Sequence, residues 1–70
     1  MKYIYLMKHE REKTVKDLNG MARILDIRQW YRKYPRGNRL YWGWVVLDHP
    51  IELLDACDIG LMPVYKESQI

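Results

Sequence analysis

Seventy residues with one cysteine, Cys57, and a formal charge of +3 allow one small domain, residues 1–70, and exclude an internal disulfide. No apolar run nears the ~18 to 20 residues that span a bilayer, and charge arrives too early, at Lys8, for a signal peptide. The expectation is a cytoplasmic domain with no membrane segment, whose lone thiol suits a reducing compartment.

The chain opens on Tyr-Ile-Tyr-Leu-Met-Lys over 3–8, a strand by its aromatic and branched content. A charged run, His9 to Lys13, makes a turn. Thr14 then reads as a helix cap, with Asp17 three residues on to reciprocate. Val15, Leu18, Met21, Ala22 and Leu25 follow at helical spacing, with Gly20 inside the stripe. Asp26 reads as a second cap, for a short helix over 27–34 that Pro35 stops. Arg36, Gly37 and Asn38 make a turn into a strand over 39–48, where Gly43 marks a bulge or a close contact. Pro50 suits the first turn of a third helix, 51–57, that Gly60 ends. A last strand over 61–65 carries Pro63 and so belongs at a sheet edge.

The order β-α-α-β-α-β defines a small α+β domain with a short antiparallel sheet. Two joined helices over 16–36, with Ala22 in the first and Leu25 and Ile27 about the turn, resemble a helix-turn-helix with a wing, although Asp26 and Arg32 depart from that motif. The resemblance implies duplex DNA binding by the second helix. Arg28 and Gln29 would meet base edges, while Arg32, Lys33, Arg36, Asn38 and Arg39 would hold phosphates or line the wing.

Charge and aromaticity concentrate in the same place. Residues 28–44 hold five of twelve Lys/Arg, six of nine aromatics and no acid. Guanidinium groups grip phosphate and flat rings stack on bases, so the composition alone suits a nucleic acid. Residues 1–39 carry eleven Lys/Arg against four acids, and residues 40–70 one against five, which predicts a basic face and an acidic face.

A second class of function competes: a protein-binding effector or inhibitor, of the compact viral kind, docking a host macromolecule. Its interface would use Trp30, Tyr34, Tyr41 and Trp42 with the acids Asp48, Glu52, Asp55 and Asp58. Catalysis has little support. His9 and His49 lack a relay partner, Cys57 between Asp55 and Asp58 has a disfavoured thiolate, and no spacing fits a metal or cofactor. The expected core is Ile4, Leu6, Leu18, Met21, Ala22, Leu25, Trp42, Trp44, Val46 and Leu54. So thin a core predicts a homodimer, by edge pairing of the 40–47 strand or through Trp30 and Tyr34.

Overall fold

A computed structural model describes residues 2–36 and 39–66. Their elements run β1 (Tyr3–Met7), α1 (Arg11–Leu18), β2 (Ile24–Arg36), β3 (Arg39–Leu47), α2 (Leu53–Asp58) and β4 (Leu61–Lys66). The strands form one antiparallel sheet in the order β2-β3-β1-β4. Each helix therefore connects strands that flank a third, which is the split β-α-β or ferredoxin-like arrangement.

The helix-turn-helix expectation is overturned. The segment expected to be a reading helix, 27–34, lies inside the 13-residue strand β2. Its residues Ile24, Leu25, Ile27, Trp30, Tyr31 and Tyr34 are β formers, and a hairpin partner of the same kind lies just downstream in β3. The strand is irregular. Its register against β3 shifts between Ile24 and Asp26 and again between Gln29 and Tyr34. Asp26 caps no helix: its carboxylate accepts the Ile27 N–H at 2.8 Å within the strand. Pro35 ends no helix either. It sits on an edge strand, as Pro63 does on β4, where a missing N–H disrupts least.

Helix α1 begins and ends earlier than the sequence predicts. Its N-cap is Glu10, not Thr14, and Glu12 in the first turn and Lys16 in the last complement the helix dipole. Lys13 and Asp17 pair at 3.2 Å one turn apart. The chain leaves the helix at Gly20, whose φ of +85° is the left-handed conformation that glycine adopts without strain. Met21 and Leu25, expected on the helical stripe, are consequently outside it and exposed. A helix of eight residues does not persist alone in water, so packing of Leu18 and Thr14 onto the sheet holds it.

The core lies between the helices and one face of the sheet. Tyr5, Met7, Val45, Leu47 and Leu61 from the strands meet Leu18 of α1 and Ala56 of α2. Ile24, Ile27, Ile51 and Ile59 pack around them. The Ile51 N–H donates to the Tyr5 hydroxyl at 2.8 Å, fixing the approach to α2. At the other end, Asp48 joins the exit of β3 to the entry of β2. Its carboxylate accepts the Arg23 N–H at 2.9 Å, and its own N–H donates to the Arg23 carbonyl.

Alternation along β1 and β3 puts Ile4, Leu6, Trp42, Trp44 and Val46 on the face opposite the helices. These residues were expected in the core, and Leu54 with them. Leu6 and Val46 are buried there as expected, but Ile4, Trp42 and Trp44 are only part-buried and Leu54 is exposed, because both faces of these strands are apolar and periodicity alone does not say which one the helices cover. Over Gly43–Leu47, β3 is flanked by β2 and β1, which leaves no free edge for a second copy along that stretch.

Candidate nucleic-acid interface on the helix-free sheet face

The helix-free face is a groove rather than a polar plane. Ile4, Leu6, Trp30, Trp44, Val46 and Val64 line a concavity of about 380 Å³ drawn from all four strands. Leu6 and Val46 are buried in its floor, while Ile4, Trp30, Trp44 and Val64 are part-buried. Antiparallel sheets commonly turn a polar face to water, and this face is apolar instead.

Cations stand beside the rings. Arg28 is exposed and directly opposite Trp44 in the β2–β3 register, so the two share the open face. Lys33 holds its ammonium 5.0 Å from the centre of the Trp42 ring, within cation–π range. The backbone irregularity between Gln29 and Tyr34 places the exposed Arg32 and Lys33 where regular pairing is interrupted.

Gly43 permits the close pairing of the two strands. A Cβ there would run into the Arg28 carbonyl oxygen and lie 2.9 Å from the Gln29 Cα. The glycine predicted as a bulge or close contact is thus a close contact. It seats Trp42 and Trp44 on either side of the point where β2 approaches most nearly.

The hairpin reaches past the rest of the sheet. β1 pairs with β3 only over Leu47 to Gly43, so the end of β3 from Arg39 to Trp42 and the paired end of β2 form an arm. Arg36 and Arg39 face each other in its register. Asn38 and the turn expected at Gly37 lie outside the described residues.

Charge sorts by layer. The strands contain Arg28, Arg32, Lys33, Arg36, Arg39 and Lys66 against a single acid, Asp26, whereas α2 contains Asp55 and Asp58 and no cation. The basic and acidic halves of the sequence have become a basic sheet and an acidic helix.

The other predicted site residues separate. Gln29 does not point to a base: its side-chain oxygen accepts the Arg11 N–H at 2.9 Å, tying β2 to the start of α1. Tyr41, expected at a protein interface, is only 1% exposed, and its hydroxyl donates to the Met62 sulfur at 2.9 Å. Trp42 remains part-exposed, and Trp30 lies in the groove wall. Asp48 is occupied by Arg23 and by His49, whose Nδ1 is 2.8 Å from the carboxylate. Those hydrogen bonds, His49 first and then the Arg23 backbone, hold its pKa below the ordinary carboxylate value. Glu52, Asp55 and Asp58 are exposed about α2.

Sequence reasoning missed Ile4, Leu6, Val46 and Val64 as site residues. Strict alternation in Tyr3–Met7 was the available signal, since it makes two apolar faces where one core needs one. A larger concavity, about 760 Å³, runs along the outer side of α1, but its lining of Glu10, Glu12, Lys13, Lys16 and Asp17 mixes charges and selects no ligand class. Among the described residues no group of three His, Cys, Asp or Glu is placed to hold a metal. No helix among them is long and apolar enough to cross a membrane. Comparison with protein-family models, curated proteins and solved structures finds no match for this chain.

Proposed function

We propose that this chain is a non-catalytic binding module that holds single-stranded nucleic acid across the helix-free face of its sheet. The observation that carries the reading is the open groove with Trp30 and Trp44 in its wall, Arg28 opposite Trp44, and Lys33 over Trp42. Bases stack on such rings irrespective of sequence, and the neighbouring cations meet the backbone. An open four-stranded sheet whose surface rings stack two or three bases is a known way of holding single-stranded RNA.

Duplex recognition by a helix is not part of this proposal. The expected reading helix is a strand, α1 carries mixed charge and α2 is acidic, so neither helix suits a major groove. The rings need a base face, which a duplex keeps stacked inside. Cys57, single and exposed on α2, fits a reducing cytosol.

Titration of the full chain with oligouridylate, oligothymidylate and a mixed-sequence duplex, read by tryptophan fluorescence, tests the proposal. Single strands should quench the emission and bind at least about tenfold more tightly than the duplex, a difference of ~1.4 kcal/mol. The affinity should fall steeply with salt. A preference for duplex would point instead to the basic β2–β3 arm entering the major groove as a ribbon. Absence of binding to every nucleic acid at roughly 50 mM salt would remove the proposal.

A further inference from the structure

The acidic helix has its own exposed apolar pair. Leu53 is 65% exposed and Leu54 78%, the two most exposed large apolar side chains among the described residues. Glu52, Asp55 and Asp58 surround them, and all three are exposed. Only Ala56 of this helix is buried in the core. Two adjacent leucines left in water on a six-residue helix do nothing for the fold, since the helix already has its anchor.

The chemistry that would cover this knob is apolar at the centre and cationic at the rim, which describes the sheet groove of the same chain. The groove floor is Leu6 and Val46, its walls are Ile4, Trp30, Trp44 and Val64, and Arg28 and Lys33 stand on the same side. Asp26 is the one opposing charge on the strands. The helices pack against the other face of the sheet, so a chain has no means of placing α2 in its own groove.

We infer that α2 of a second copy docks in the sheet groove, with Leu53 and Leu54 in the apolar channel and Asp55 and Asp58 against Arg28 and Lys33. The contact joins unlike surfaces, so it is heterologous and extends head to tail rather than closing as a two-fold dimer. It occupies the surface assigned above to nucleic acid and so makes self-association and nucleic-acid binding mutually exclusive. That exclusion, though not the contact itself, rests on the proposed function.

Sedimentation velocity of the full chain across a micromolar range tests the contact. The sedimentation coefficient should rise with concentration without a plateau at the dimer. The double variants L53S/L54S and D55K/D58K should sediment as monomers at concentrations about tenfold above those where the unaltered chain associates. R28E/K33E should do the same, and mixing it with D55K/D58K should restore association, which a merely damaged fold would not. Oligouridylate should return the unaltered chain to monomeric complexes. A monomer at every concentration, or association that stops at a dimer or persists in L53S/L54S, would overturn the inference. Association through α2 that oligouridylate leaves intact would keep the contact and overturn the nucleic-acid reading of the groove.

Discussion

The two faces of this sheet are both apolar and have opposite fates. On one, Tyr5, Met7, Val45, Leu47 and Leu61 meet Leu18 and Ala56 and lose nearly all contact with water. On the other, Ile4, Leu6, Val46 and Val64 are joined by Trp30 and Trp44 and no helix covers them. The covered face is mainly aliphatic. The open face adds indole rings with Arg28 and Lys33 beside them. Aliphatic groups contribute chiefly through removal from water, whereas a ring beside a cation also offers a stacking surface and a charge. The contrast separates side chains that the helices cover from side chains that no helix covers.

Truncation on the covered face should have the largest effect on stability. Leu47→Ala or Leu18→Ala, each at a fully buried site, should lower the unfolding free energy by about 2–5 kcal/mol in urea denaturation. A loss below about 1 kcal/mol would mean that the helices are not packed as described.

Gly43→Ala tests the link between the faces. With no room for a Cβ beside the Arg28 carbonyl, the β2–β3 pairing must shift, at about 1–3 kcal/mol. The variant should also weaken oligonucleotide binding, because the same pairing sets Arg28 opposite Trp44. Stability lost with binding retained would show that the groove does not depend on this register.

Trp42→Ala should reverse the pattern seen in the core. Stability should change little, while affinity for a single strand falls by about 1–3 kcal/mol, the contribution of one stacked base. An equal affinity in fluorescence anisotropy would remove this ring from the site.

Thr14 is the covered face's one defect among the described residues. It is fully buried in α1 and its hydroxyl has no hydrogen-bond partner. Thr14→Val keeps the shape and removes the unsatisfied group, so it should stabilise the chain by about 1 kcal/mol with binding unchanged. A lower melting midpoint would indicate that the hydroxyl has a partner.

The smallest effect is expected at Asp48. Its folded pKa is lowered by His49 and the Arg23 backbone, so the unfolded chain binds the proton more readily. The stabilisation is therefore present above the ordinary carboxylate pKa and disappears as pH falls through the lowered folded value. Asp48→Asn should flatten that acid limb by removing the small stabilisation above it, while leaving oligonucleotide affinity at neutral pH nearly unchanged. An identical acid limb in the variant would assign the pH dependence to other carboxylates.

Much of the element layout was legible. Tyr3–Met7, Arg39–Leu47 and Leu61–Lys66 are strands because their aromatic and branched residues prefer that conformation, and Pro63 lies on an edge strand for want of an N–H. The concentration of cations and rings in 28–44 was equally plain, and so was the division into basic and acidic halves. The 27–34 segment was misread because Asp26 and Pro35 were taken as helix signals, whereas Asp26 accepts the Ile27 N–H within the strand and Pro35 sits on a sheet edge that only pairing with β3 creates.

What the sequence determined by itself was therefore local: strand preference, turn residues, edge prolines and where charge and aromaticity lie along the chain. Only the tertiary structure decided which of two apolar faces the helices cover. Alternation with a period of two distributes side chains to both sides without naming either, and the choice is made by where Leu18 and Ala56 reach the sheet. That choice buried Met7 and left Trp44 at the surface, and it turned a motif read as a DNA-binding helix into one wall of an open groove.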